Sequence, residues 1–216
     1  MNNPWKDIKL SDYENHMKLD TVMQLQALNE MMKSQFEIGK ATSILILGVA
    51  GGNGLEHIDV PRVKKLYVLD INKEYLRACK QRYPMLNAIT TYLCEDLTDE
   101  EVTLPYAELI VANLLIEYIG YECFQNVVKK VSPKAVSCII QVNGEENFVS
   151  ESPYVHVFDK LDCVHHNVEE KELSLAMRAV GYELSHKTET MLPNGKKLIQ
   201  LDFIKLMKSL IEMQKL

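Results

Sequence analysis

The rhythm of apolar and polar positions changes near residue 43. Before it, in the block 11–38, Met17, Val22, Leu25, Leu28, Met31 and Met32 recur at roughly helical spacing. This predicts one long helix or two, with Ser11 or Asp12 as N-cap and Gly39 as the stop. After it, short apolar runs alternate with amphipathic stretches. The apolar run 43–47 suits a strand buried on both faces. Further strands are expected at 65–69, 88–94, 109–112 and 135–142. Helices are expected at 73–82, ended by Pro84, at 118–131, stopped by Ser132–Pro133, and at 169–180, closed by Gly181. Residues 145–168 read as polar and irregular. Strands at 182–187 and 197–205 flank Asn194–Gly195, a strong hairpin signal, and a polar-apolar tail, 206–216, closes the chain.

Strands alternating with helices define an α/β class: a doubly wound, open, mostly parallel sheet with helices on both faces. The hairpin is too short for a parallel crossover, so the sheet gains an antiparallel strand at its C-terminal end. Residues 1–42 form a helical cap or lid, and 43–216 a single globular unit. The methionines at 17, 23, 31 and 32 either fill the helix–sheet seam or line an adaptable apolar pocket.

Composition narrows the function classes. The 216 residues suffice for one domain with a self-sufficient core. No uncharged apolar stretch reaches the ~18 residues of a membrane span. The net charge of −6 argues against a phosphate-backbone partner. The basic groups Arg62/Lys64/Lys65 and Lys129/Lys130 read as solvated helix ends or loops. Five cysteines, with no CxxC, fit reduced thiols, and the first residues resemble neither a signal nor a transit peptide. The expected location is cytoplasmic, with a small-molecule partner, no nucleic acid, no membrane, and a monomer or homodimer.

The chemistry centres on ILILGVAGGNGLEHI, residues 44–58, read as a buried strand, a glycine-rich turn and a helix start whose N–H groups can meet a polar ligand. A dinucleotide fingerprint fits poorly, because Ala50 and Asn53 stand where its second and third glycines would be. Asp70 ends the second strand, 22 residues after Gly48, where a carboxylate can accept from ribose hydroxyls. It can also cap the following helix. In CEDLTDE, Asp96 comes first after the third strand, at the ligand-binding edge of such sheets.

At these residues the chain resembles the class I S-adenosylmethionine-dependent methyltransferases, of Rossmann-like fold and small-molecule type, over roughly 44–205. GVAGG looks like that family's GxGxG turn, with Ala50 for the middle glycine. The resemblance implies S-adenosyl-L-methionine as cofactor. Gly48, Val49, Ala50 and Gly52 would lie along the methionine, Asp70 at the ribose and Ile71 beside the adenine. Asp96 and Leu97 would receive the adenine, with Asn113 and Leu114 at the end of the fourth strand, facing the reacting centre. The family often carries an acid two residues before the first glycine, where this chain has Ile46. The methionine ammonium then needs a backbone carbonyl or an acid of the N-terminal block.

Methyl transfer requires in-line positioning, and a general base only if the acceptor must lose a proton early. Candidates are Glu117, Tyr118, His165 and His166. IEYIGYE, 116–122, slightly resembles the first glutamate loop of protein arginine methyltransferases, where Glu117 would bind a cationic nitrogen. The plainer reading has Glu117 and Glu122 favouring a helix dipole. For the two histidines, the plainer outcome is one exposed and one packed or capping. Tyr13, Glu14 and His16 either close over the cofactor or pack outside the sheet. No spacing matches a zinc site. The expected activity is therefore methyl transfer to a small acceptor. The alternatives are a nicotinamide-dinucleotide oxidoreductase and a non-catalytic S-adenosylmethionine-binding protein.

Overall fold

A computed structural model describes residues 3–143 and 148–206. The expected tail beyond 206, and 145–147 of the stretch read as irregular, lie outside the described residues. Seven strands form one sheet: β1 (Ser43–Leu47), β2 (Lys65–Asp70), β3 (Thr90–Cys94), β4 (Leu109–Asn113), β5 (Ala135–Val142), β6 (Tyr182–Met191) and β7 (Lys197–Lys205). Their order is β3-β2-β1-β4-β5-β7-β6. The pairs of β1 with β2 and β4, of β2 with β3 and of β4 with β5 are parallel. β7 runs antiparallel to both its neighbours, β5 and β6. The doubly wound sheet with an antiparallel C-terminal strand is as expected.

Period-two alternation divides the core. Ile44, Ile46 and Val68 face α2 (Gln24–Gln35) and α3 (Lys73–Arg82), meeting Met32, Phe36, Leu76 and Cys79. Leu45, Leu47, Ile110 and Ala112 face α4 (Ile116–Val131) and α5 (Glu170–Ala179), meeting Phe124, Val128, Leu173 and Met177. Asn72, with its side chain accepting from Glu74 and Tyr75 N–H, caps α3.

The N-terminal block is two helices, which take different places. α2 packs on the sheet face. α1 (Leu10–Met17) begins at Leu10, before the expected caps Ser11 and Asp12, and lies over the carboxyl edge of the sheet. Part of the stretch read as irregular is ordered as a 3-10 segment, Val155–Cys163, whose Phe158 and Leu161 are buried against Ile8.

A second difference lies after β1. No α-helix follows the glycine turn, only a 3-10 turn, Leu55–His57. Gly54, at φ +87°, and Pro61 interrupt the residues between Gly52 and β2, so no α-helix propagates there. The basic group at 62–65 is no open patch either. The Arg62 guanidinium donates to the Phe36 and Ala41 carbonyls and pairs with Glu37 and Asp59. Among the described residues no helix is long and apolar enough to cross a membrane.

Candidate functional site

The site is built where β1, β2 and β4 end together. At the exit of β1 the Gly48 and Val49 N–H groups both donate to the Leu69 carbonyl, at 2.9 and 3.1 Å. Asp70 then fixes the turn. One carboxyl oxygen accepts from Ala50 N–H at 2.8 Å and the other from Asn72 N–H at 2.8 Å. Only 7% of Asp70 is exposed, and burial raises its carboxyl to about 6 against these two stabilising bonds.

The turn explains why a family consensus would favour glycine at position 50. Ala50 sits at φ +47°, a left-handed conformation that costs a residue with Cβ roughly 1–2 kcal/mol. Ala50→Gly is expected to keep the fold and raise the melting temperature by about 2–3 °C, once the greater unfolded-state freedom of glycine is set against the relieved strain. A thermal scan reads this directly, and a lowered Tm would contradict the strained turn.

A narrow cavity of about 80 Å3 runs along this edge. Gly48, Ala50, Asp70 and Ile71 line it from the β1 and β2 side, and Asp96, Leu97, Asn113 and Leu114 from the β3 and β4 side. Asp96 is held by its own turn, accepting from the Thr98 N–H and hydroxyl. Two of the expected residues lie elsewhere. Val49 points into the core with Ile44 and Leu76, because the turn reverses direction there. Gly52, at φ +88°, is closed in by α3, where an added Cβ would lie 2.9 Å from the Cys79 sulfur. Asn113 departs in orientation. Its side-chain amide exchanges two hydrogen bonds with buried Gln35 of α2, at 2.9 and 2.8 Å, so the amide is committed to the helix.

The cavity is roofed by aromatic residues. The Asn72 side chain donates to the Trp5 carbonyl at 2.9 Å and so anchors the N-terminal segment. Trp5 packs edge-on against Tyr13 and Tyr118, and Tyr13 stacks near Tyr75. Glu14 pairs with Arg82, which also donates to the Gly51 carbonyl, tying α1 to the glycine turn. The acid of the N-terminal block thus has a cationic partner of its own. Trp5 and Tyr75 escaped sequence reasoning. A tryptophan five residues into the chain carries no spacing signal, and Tyr75 reads as an ordinary residue of a helix first turn.

Leu114, at φ +50°, separates this cavity from a second one of about 60 Å3. Trp5, Tyr13 and Tyr118 border both. Glu117 lies in the second, in the first turn of α4 as the dipole reading expects, but only 5% exposed. Gly120 breaks α4 at φ +73°, and the Glu117 carbonyl accepts from His166 N–H at 2.6 Å. One Glu117 carboxyl oxygen accepts from Gln141 N–H at 3.0 Å, and burial raises the group to about 7. Glu122, by contrast, is exposed.

The histidines divide. His165 lines the second cavity, stacked on Phe148, and burial lowers it. His166 is exposed and lines none of these cavities, and its backbone N–H is bound to the Glu117 carbonyl. His16 is buried beside Phe158 with Nδ1 2.8 Å from the Ser152 hydroxyl. Burial, then the Lys196 charge, lower it to about 4, so it is neutral near pH 7. Among the described residues, two buried side-chain polar atoms have no partner: the Tyr75 hydroxyl, in the first cavity, and Oε2 of Glu117, in the second.

The sequence matches no family model, and no curated protein matches it in sequence. Solved structures nonetheless share its architecture. The N-methyltransferase NodS from Bradyrhizobium japonicum WM9, in complex with S-adenosyl-L-homocysteine, superposes with a TM-score of 0.65 at 14% identity, covering 94% of this chain and 99% of that one. The magnesium protoporphyrin IX methyltransferase ChlM from Synechocystis PCC 6803, with S-adenosyl-L-homocysteine bound, gives 0.59 at 11% identity, over 86% of this chain and 85% of that one. The [4+2]-cyclase SpnF gives 0.63 at 8% identity, over 86% and 83%. The chain has the fold of the class I S-adenosylmethionine-dependent methyltransferases.

Proposed function

We propose that this chain is an S-adenosyl-L-methionine-dependent methyltransferase acting on a small molecule. A fold hosts more than one chemistry, as the cyclase among its neighbours illustrates, so the reading rests on the site. The observation that carries it is the pair of adjoining cavities under one roof, each lined by a residue whose buried polar atom has no partner among the described residues.

The first cavity suits the cofactor. Ribose hydroxyls are donors, and the Asp70 carboxyl at the end of β2 is an acceptor. Tyr75 lines the same slot, and its unpaired hydroxyl would gain a partner from a polar ligand. Ile71, Asp96 and Leu97 offer an apolar bed with a polar edge for the adenine, and Gly48 and Ala50 leave the turn backbone open to the methionine part. When bound, the cofactor supplies an electrophilic methyl group on a sulfonium. The chain's own residues then have modest tasks: to orient the acceptor, to exclude water beneath Trp5 and Tyr13, and to receive any acceptor proton. We assign the N-terminal segment through α1 the role of a lid. A dinucleotide is less well served, since its pyrophosphate needs a helix N-terminus and the turn here leads only into the 3-10 turn Leu55–His57. The five unpaired cysteines support a reducing, cytoplasmic setting.

Calorimetric titration with S-adenosyl-L-homocysteine and, separately, NADH tests the reading. The adenosyl ligand is expected to bind and NADH to give no heat. Tyr75→Phe should weaken adenosyl binding up to about tenfold, the worth of one neutral hydrogen bond, without lowering the melting temperature, since the lost hydroxyl had no partner. Binding of NADH alone would overturn the proposal.

A further inference from the structure

Glu117 carries more information about the acceptor than the rest of the second cavity. A buried carboxylate must be paired with a cation or protonated. Gln141 N–H satisfies one oxygen, and the other has no partner among the described residues. The titratable groups facing it are Tyr118 of its own helix, Tyr13 of α1, Cys138 of β5, and His16 and His165 across the cavity. None of these supplies a positive charge near pH 7, and the buried Lys196 of the β6–β7 turn donates its ammonium to the Phe148 carbonyl, its charge bearing on His16. Burial holds both histidines below their ordinary value and the phenols and thiol above theirs.

The walls point the same way. Trp5, Tyr13, Tyr118, Phe148 and Phe158 surround the space with aromatic faces and edges, a setting that attracts cations. An anionic acceptor would meet the Glu117 charge, and an alcohol would leave that charge unpaired. The cavity, about 60 Å3, takes only the reacting end of a molecule. An open trough of about 1250 Å3 between α5 and the β6–β7 hairpin shares Glu117, Gln141, Phe148 and His165 with it and leaves room for the remainder. The trough's Lys187 and Lys197 are paired with Glu170 and Glu189.

We propose that the acceptor is a small amine that arrives protonated, its ammonium seated on the free Oε2 of Glu117 between the aromatic walls. The inference rests on the methyltransferase reading of the adjoining cavity. Glu117 takes one N–H proton. The nitrogen lone pair so released forms the new N–C bond as the C–S bond of the sulfonium breaks, its electrons passing to sulfur. The products are a methylated ammonium and a neutral thioether, with the proton left on Glu117.

Methylammonium is small enough for the cavity and serves as the probe. In protein labelled with 13C at the Glu carboxyl, the Glu117 resonance is assigned by its loss in Glu117→Gln. The expected result is a titration midpoint near 7 that falls by at least one pH unit in saturating methylammonium and is unmoved by methanol. S-adenosyl-L-homocysteine is titrated into the same sample. A midpoint indifferent to methylammonium while the adenosyl ligand binds overturns the amine assignment and leaves the methyltransferase reading standing. A midpoint that responds while the adenosyl ligand fails to bind supports the cation site and removes the cofactor reading.

Discussion

Glu117→Gln is expected to make the ligand-free protein more stable at pH 8 and slightly less stable at pH 5. The native carboxyl titrates at about 7 against an ordinary value of 4.5, and burial is the main cause. The fold therefore penalises the charged form. That cost is fully present above pH 7 and disappears as the pH falls below the unfolded value. With each tenfold change in proton affinity equal to about 1.4 kcal/mol, the cost is on the order of 3 kcal/mol. Glutamine keeps the acceptor for Gln141 N–H but places an unpaired N–H where Oε2 was, which returns roughly 1–2 kcal/mol of it. A net gain of about 1–2 kcal/mol remains at pH 8, or several degrees in Tm for a domain of this size. Asp70 and His16 also titrate across this range, but both proteins contain them, so they cancel in the difference. Paired thermal scans at pH 8 and pH 5 measure it. A variant equally destabilised at both pH values would mean that the carboxyl is not held charged and unpaired. A gain would be the mark of a functional group kept at the expense of stability.

Why Glu117 was hard to read locally is instructive. An acid in the first turn of a helix normally looks outward and favours the dipole. It is buried here by elements far away in the chain: α1, the Val155–Cys163 segment and the end of β5. No periodicity within 116–122 reports that roof. The same holds for Tyr75 and Trp5, which meet across about 70 residues of sequence through Tyr13. Asp70 was legible for the opposite reason. It terminates an apolar strand next to a glycine turn, so its place follows from the strand register alone, and Ala50 and Gly48 are set by the same edge. The hairpin at Asn194–Gly195 was likewise a local signal, and it alone fixed the direction of β7. The helix expected after the glycine turn failed because Gly54, at φ +87°, and Pro61 interrupt the segment before β2. Asn113 was placed at the right strand end, but its amide faces a glutamine 78 residues away, a pairing invisible in either local segment.

Asp70→Ala should produce the largest loss of cofactor affinity of any single change. The carboxylate does two jobs. It accepts the N–H groups of Ala50 and Asn72, which sets the turn, and its remaining lone pairs face the cavity where ribose hydroxyls are expected. Alanine removes both acceptors, leaves two backbone donors without partners and frees the strained Ala50 turn. Hydrogen bonds to a charged group contribute about 1.5–3 kcal/mol each, so loss of two from a ribose corresponds to at least roughly 100-fold weaker binding of S-adenosyl-L-homocysteine. Asp70→Asn removes the charge at nearly constant size. Its single carbonyl oxygen can accept one backbone N–H, but its amide presents a donor to the other, so the turn is disturbed while the size is kept. Wild-type affinity should itself fall as the pH drops below about 6, where the carboxyl gains a proton, by up to tenfold per pH unit. Glu117 titrates nearby at about 7, so the Asp70 contribution is the part of that slope that vanishes in Asp70→Asn and persists in Glu117→Gln. Calorimetry from pH 5 to 8 on the three proteins, with circular dichroism to establish that each is folded, gives the answer. Unchanged affinity in a folded Asp70→Ala variant would remove the ribose role from Asp70 and place the ligand elsewhere along the sheet edge.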